Sequence, residues 1–427
     1  AIRGSRHQNG VSRIHGDVSA RICGHFWPQL SPAENPMDYV TNGVHLPTFL
    51  ATEWHETFDR YLGVGWQQRQ TDPASWEGIS RIPDQTYWSV RQLLKSHLLY
   101  LVRDRVREQH LRNQGSPAHL DRLLKLADPS RPNVLTIGFA RRFATYKRAA
   151  LLFHDPEVLR SIICDADRPV LFLFAGKAHP ADHPGQEIVR RIAEMAARPE
   201  FEGRILLLEG YDLHLSRRLV AGVDVWLNNP IYPLEASGTS GMKAAMNGAI
   251  NLSVLDGWWG EGYDDKGNVP NGWAIKPASG HLDEARRDAE EARTLYELLQ
   301  DKVIPTFYRS GPMGYSPEWV AMSKRSIATI APRYNVIRMV GEYVQKFYAP
   351  AARQGRRLST DGFAPARALA DWKTRIRNAW AGVRLRCLET PTGRVPFGQA
   401  VRVQVAVQLG GLLPEDVTVE ALFGRPD

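Results

Sequence analysis

The segment PLEASGTSGMKAAMNGAINL, Pro233 to Leu252, holds the residue types best suited to chemistry. Ser237, Gly238, Thr239, Ser240 and Gly241 run directly into a helical pattern starting near Met242. Several backbone N–H groups and the positive end of a helix would therefore converge where an anion could sit. Glu235 opens this loop with a carboxylate suited to gripping vicinal hydroxyls, and Lys243 stands one turn into the helix. Only eleven of the 54 cationic side chains are lysines, so a lysine at this place carries information. Beside a phosphate cradle, a lysine amine whose pKa is lowered by burial can attack the aldehyde of pyridoxal phosphate. The plainer reading of the same residues is a small-residue loop that lets strand and helix pack closely.

A second candidate is GFARRFATYKRA, in which Arg141, Arg142, Lys147 and Arg148 cluster around Tyr146. A dianion such as phosphate, or a diphosphate leaving group, would need such charge-assisted donors. A solvated basic turn is the alternative. A third loop, AGKAHPADHPG, carries Lys177, His179 and His183; no neighbouring motif supplies further metal ligands, so structural or surface roles are expected and no metal is assigned.

These loops need elements to hold them. Apolar, β-prone runs at 134–140, 169–177, 204–211, 223–229 and 249–257 alternate with helical patterns. Continuous apolar strands about 25–35 residues apart are what a parallel sheet covered on both faces requires. The expected fold is α/β, a doubly wound parallel sheet, with ligands beyond the carboxyl ends of its strands. A long helix is expected from an Asp84 N-cap to about Leu111, with Trp88, Leu94, Leu98, Leu101 and Val102 on one face. A polar helix over 282–310 should bury Leu295, Leu298, Leu299 and Ile304 and end near Pro305. Ser316-Pro317 should cap another helix that turns Trp319, Met322, Ile327 and Ile330 inward. After a helical tail to about 382, the alternation VRVQVAVQL marks a β-rich module with too few strands to close a sandwich.

Composition bounds these readings. The 427 residues suggest two or three domains, and 43% hydrophobic with 23% charged residues is ordinary for a folded chain. The net charge of +8 is scattered, without a basic tail, which argues against nucleic acid as a partner. Three cysteines without metal or disulfide spacing point to a reducing compartment, the cytoplasm. No apolar run approaches the ~20 residues that span a bilayer, so no membrane is expected. The start AIRGSRHQNG, without Met and inside structured-looking sequence, leads us to expect a piece of a longer protein.

Six segments, in order, resemble the α-glucan phosphorylases that act on glycogen, starch and maltodextrin: GSRHQNGVSRIHGD, VTNGVHLPTF, ARRFATYKRA, AGKAHPADH, LLEGYDLHLS and EASGTSGMKAAMNGA. PEWVAMSKRSIATIAPRYN extends the likeness, and WWGEGYD with the β-rich tail resembles a shorter bacterial branch. The family uses Lys where Arg141 stands and Gly-Asn where Ser240-Gly241 stand. The resemblance implies a GT-B fold of two Rossmann-like halves, with residues 1–48 the remnant of the first. It further implies a cofactor-binding half over 49–350, a helical tail over 351–383 and a partial β-rich module over 384–427. It implies that Lys243 holds pyridoxal 5′-phosphate, with Arg141, Thr239, Ser240 and Tyr211 around the cofactor. Arg142 and Lys147 would hold substrate phosphate, and Glu235, Ser237, Gly238, Tyr146, Asn42 and Val11 would line the glucosyl site. The implied reaction moves a glucosyl unit from an α-1,4-glucan to inorganic phosphate, with retention, and uses the cofactor's 5′-phosphate as the acid–base group. This chain alone is expected to have little or no activity; a homo-oligomer is compatible with the resemblance. Two rivals stay open: a nucleotide-sugar glucosyltransferase of the same architecture, and a non-catalytic glycan-binding fragment.

Overall fold

A computed structural model describes residues 2–389, 400 and 402–420. Two compact units divide the chain, residues 1–344 and 345–427.

In the first unit, six strands form one all-parallel sheet: β3 Leu135–Ala140, β4 Val170–Ala175, β5 Ile205–Leu208, β6 Val225–Asn228, β7 Ile250–Val254 and β8 Gly272–Ile275. Two short strands, β1 Gln8–Gly10 and β2 Met37–Tyr39, pair in parallel separately. The large sheet has the order β5-β4-β3-β6-β7-β8. The chain thus runs from the centre to one edge, returns beside β3, and runs to the other edge. Successive side chains serve opposite faces, as the period of two demands. Phe172 and Phe174 pack with Leu159, Ile192 and Leu295, whereas Leu171 and Leu173 pack with Leu98, Val102, Leu215 and Leu219. Because helices cover both faces, β3, β4, β6 and β7 are buried at every position, which is why they read as unbroken apolar runs. The doubly wound parallel sheet expected above is present.

A third cluster joins Trp54, Phe58, Trp66, Trp76 and Tyr87 to Met242 and Met246 of the helix Ser240–Met246 and to Ile327 of the helix Pro317–Ile330. Ser316 caps the latter, its side chain accepting from Trp319 N.

Three expectations shift. The long helix spans Asp84–Arg112, but Pro83 stands at its N-cap, and the Asp84 carboxylate instead pairs with Lys324 Nζ at 2.5 Å. The helix Glu284–Leu298 does not stop at Pro305. It passes through a π-type turn, Leu299–Val303, and a last turn, Ile304–Tyr308, because the wider turn shifts the hydrogen-bond pairing around the missing proline donor. The strand β8 was not anticipated: four residues including Gly272 and Ala274 leave little periodic signal.

The second unit contains the helix Ala349–Ala379, interrupted at Thr360–Phe363, where Asp361, Gly362 and Phe363 have positive φ. It also contains the antiparallel pair β9 Arg384–Glu389 and β10 Gln404–Gln408. The rest of the expected β-rich module, 390–399, 401 and 421–427, lies outside the described residues. Among the described residues no helix is long and apolar enough to cross a membrane.

Candidate active site

The chain reverses its direction of winding between β3 and β6, and at such a switch point the loops leaving the two strands diverge and open a crevice. The loops at this point are 141–148 and 229–239, the two candidate segments read from the sequence.

Arg141 continues β3 by donating its backbone N–H to Ala175 O at 3.1 Å. Gly176 makes this approach possible, since a Cβ there would stand 2.0 Å from Arg141 O. Lys147 ends a short turn, Thr145–Lys147, with its Nζ 4.6 Å from the Tyr146 ring centroid. Both cations converge on one atom. Glu235 Oε2 lies 2.8 Å from Lys147 Nζ and 3.2 Å from Arg141 Nη1, and Arg141 Nη1 also donates to Asn228 Oδ1. Glu235 is only 5% exposed. Arg142, by contrast, is exposed; its backbone carbonyl accepts from Ala144 N at 3.0 Å, and its side chain makes no hydrogen bond or ion pair among the described residues. Burial pulls the Arg141 guanidinium below its ordinary value, with Glu235 opposing.

Beneath this cluster lies Asp256, just past β7. Its carboxylate accepts the backbone N–H groups of Glu235, at 2.9 Å, and of Gly257, at 2.8 Å. Burial nevertheless pushes its pKa up to about 6, with the Glu235 charge adding to the rise. Ser237 is buried, its Oγ donating to Gly238 O at 3.2 Å. Gly238 has φ +75°, a left-handed conformation that favours glycine, and its place beside Glu235 and Arg141 leaves no side chain in the crevice. Thr239 precedes the helix Ser240–Met246 without a side-chain capping bond, and Ser240 Oγ accepts from Trp226 Nε1 at 3.2 Å.

Lys243 stands apart from these charges. It is half-buried, its Nζ lies 4.0 Å from the Phe49 ring centroid, and burial lowers its pKa. Asn247, four residues on, fixes that ring's backbone: its Nδ2 donates to Phe49 O at 2.7 Å and to Lys243 O at 2.9 Å, while its Oδ1 accepts from Ala51 N at 2.8 Å.

The first 45 residues reach the crevice through the Ser12 side chain and the backbone beside it. Asn42 N–H donates to Val11 O at 3.1 Å, and Ser12 Oγ donates to Ala236 O at 2.7 Å. Val11 and Asn42 are therefore neighbours beside the Glu235 loop. Glu261 latches this segment, its Oε1 accepting from Thr41 Oγ1 at 2.7 Å and from Arg13 N at 3.2 Å. Tyr211 is less closely tied. Its hydroxyl donates to Ser216 Oγ at 3.2 Å, and its link to the cluster is an electrostatic influence on Arg141. His179 Nδ1 accepts from Ala181 N, and among the described residues no three His, Cys, Asp or Glu side chains are grouped to hold a metal.

Residues 134–261, from β3 to the turn past Asp256, match the family described as carbohydrate phosphorylase. The chain is 42% identical to the maltodextrin phosphorylase of Thermococcus litoralis, over 99% of this chain and 48% of that one. Along nearly its whole length the chain is thus similar to carbohydrate phosphorylases. It is also 40% identical to the glycogen phosphorylase of Mycobacterium bovis, over 100% of this chain and 48% of that one. With the glycogen phosphorylase of Aquifex aeolicus the identity is 42%, over 83% and 49%. The chain spans about half the length of these phosphorylases. Within the phosphorylase match, sequence reasoning passed over Asp256, Asn228 and Asn247. Asp256 had a readable signal, a carboxylate at the carboxyl end of an apolar strand. Asn247 had none, because Phe49 and Ala51, the partners it ties to the helix, lie almost two hundred residues away.

Proposed function

We propose that this chain is the cofactor-carrying half of an α-1,4-glucan phosphorylase of GT-B architecture, which forms glucose 1-phosphate from a glucan end and inorganic phosphate. The single observation that carries the reading is the convergence of Lys147 and Arg141 on Glu235 beside the unpaired Arg142. Two cations share one carboxylate and a third, Arg142, follows Arg141 in the same loop, so the crevice favours an added anion.

The residues around Lys243 also fit pyridoxal 5′-phosphate. The amine is half-buried, is held over an aromatic ring and has no ion-pair or hydrogen-bond partner among the described residues; burial keeps more of it in the neutral, nucleophilic form. Thr239, Ser240 and Arg141, with Tyr211 farther out, would hold the cofactor's phosphate. Bound there, that phosphate would supply an acid–base group next to the substrate phosphate.

The chain's own residues do the rest. Arg142 and Lys147 hold inorganic phosphate, which displaces Glu235 from Lys147. Glu235, Ser237, Gly238, Tyr146, Asn42 and Val11 orient the terminal glucosyl unit. As the glycosidic bond breaks, its oxygen takes a proton from the substrate phosphate, and a phosphate oxygen bonds to the anomeric carbon on the face the glucan leaves. The products are glucose 1-phosphate and a glucan shorter by one unit. Arg142 and Lys147 stabilise the charge that moves between the two oxygens.

Mass spectrometry after mixing with pyridoxal 5′-phosphate and borohydride reduction should find the pyridoxyl group on Lys243, and Lys243→Ala should abolish it. A protein of the relatives' full length should phosphorolyse maltodextrin, and this chain alone should do so little or not at all. Labelling spread evenly over the surface lysines, with no phosphorolysis by the longer protein, would refute the reading.

A further inference from the structure

Arg148 stands in the basic segment as a fourth cation, yet the structure gives it different work. Its side chain is 4% exposed, and its charge is met inside the protein by Asp288, at 2.8 Å from Nη1, and by Glu291. Both acids belong to the helix Glu284–Leu298. Glu291 is held in turn, its Oε1 accepting from Ala278 N at 2.9 Å. Neutralised in this way, Arg148 adds no free charge to the crevice.

The remaining bonds of Arg148 join the two loops that diverge at the switch point. Its Nε donates to Asn229 O and its Nη2 to Pro230 O, each at 2.9 Å, and Asn229 Nδ2 returns a bond to Arg148 O at 3.0 Å. One residue before Lys147, Tyr146 O accepts from Ile231 N at 2.7 Å. The backbone of Lys147 is therefore fastened on both sides to the loop that leads to Glu235. Arg148 itself takes a left-handed backbone, φ 47° and ψ 46°. A non-glycine residue pays for that conformation, so it persists only where surrounding bonds hold it.

We propose that Arg148 is a positioning residue, whose guanidinium sets the separation between the Lys147 loop and the Glu235 loop. The anion site depends on this spacing, because Lys147 and Arg141 must reach one carboxylate, or one phosphate, together. A lysine at 148 keeps the charge but cannot span two carbonyls and two carboxylates from one planar group. The part concerning phosphate rests on the function proposed above; the part concerning spacing does not.

Two measurements on the whole chain separate these parts. Competitive acetylation read by mass spectrometry reports how firmly Lys147 is held against Glu235, with the exposed Lys125 as internal reference. Titration calorimetry with inorganic phosphate reports the anion site. In folded protein, Arg148→Lys should raise Lys147 labelling and weaken phosphate binding, each about tenfold. Asp288→Asn, a milder change at a partly exposed partner, should move both in the same direction by about twofold to threefold. Folded variants whose Lys147 labelling matches wild type would overturn the proposal, even if their thermal midpoints fall. If wild-type protein binds no phosphate while the labelling responds as stated, the spacing role stands and the phosphate reading is what fails.

Discussion

Glu235 offers one buried oxygen to two cations, and this makes it the internal stand-in for an anion. Removing its charge while keeping its shape would leave Lys147 and Arg141 buried without a counter-charge. Breaking a buried pair in this way costs about 3 kcal/mol. Glu235→Gln should therefore lower the stability of the chain by that order in anion-free buffer, and added phosphate should restore most of it by binding the two freed cations. Urea unfolding with and without phosphate tests this; a loss that phosphate leaves untouched would mean that the cations are not an anion site. Asp256, underneath, makes a pH prediction. Its pKa rises on folding to about 6, so the folded state holds this proton more tightly than the unfolded chain. Its contribution is therefore present at low pH and is lost as pH rises through about 4 to 6. The shift amounts to about 3 kcal/mol at most. Relative to Asp256→Asn, which does not titrate, wild type should lose up to that amount between about pH 4 and pH 7. Paired unfolding curves at the two pH values should show the difference, and parallel curves would remove Asp256 from the buried network.

At the scale of elements, the helix Asp84–Arg112 is stapled to the sheet by charge as well as by apolar packing. Lys95 Nζ lies 2.5 Å from Asp224 Oδ2 and donates to Val134 O at 2.9 Å, while Asp224 accepts from Thr136 N. One turn earlier, Arg91 donates to Ala221 O, Asn247 O and Val223 O, tying the ends of two helices that flank the site. Lys95→Met would strand the Asp224 carboxylate and should cost about 3–5 kcal/mol by urea unfolding; a loss below about 1 kcal/mol would show that the pair is dispensable. The helix carrying Lys243 has a closer tolerance. A Cβ at Gly241 would fall 2.4 Å from Asn251 Oδ1, whose amide is fixed by its own bond to Gly241 O. Gly241→Ala should therefore cost about 2 kcal/mol and shift Lys243 against Phe49, slowing its labelling by pyridoxal phosphate. These elements were unequally legible in the sequence. Strands buried on both faces declare themselves as apolar runs, and the Glu235 and Lys147 loops declare themselves as motifs. Lys95 and Arg91 sit on the apolar face of a helix pattern, where their types say nothing of the carboxylate and carbonyls that receive them. Arg148 looked like its neighbours in the basic segment, because burial and partners from residues 229–291 are what distinguish it.

At the scale of the whole molecule, the site and its support draw on one unit. The three apolar clusters take their members from residues 44–334, and every residue assigned to the cofactor, phosphate or sugar lies before residue 344. In the second unit few large apolar side chains are buried among the described residues, and Trp372, Trp380, Leu385 and Leu388 are exposed. A unit that buries little apolar surface has little free energy to hold it folded, whereas a six-stranded sheet covered on both faces unfolds as one cooperative body. Two consequences can be measured together. A chain ending at residue 344 should keep a single cooperative thermal transition within about 3 °C of the full chain, since none of the core that sets its midpoint has been removed. Amide exchange in the full chain should then be fast through 345–389 and 402–420 and slowest in β3, β4, β6 and β7. Lys243 should take up pyridoxal phosphate equally in both lengths, because its wall of Phe49, Asn247 and Thr239 is intact in each. A midpoint that falls by about 10 °C, or Lys243 labelling that disappears with the tail, would show that the second unit supports the site and that its free energy is shared across the division.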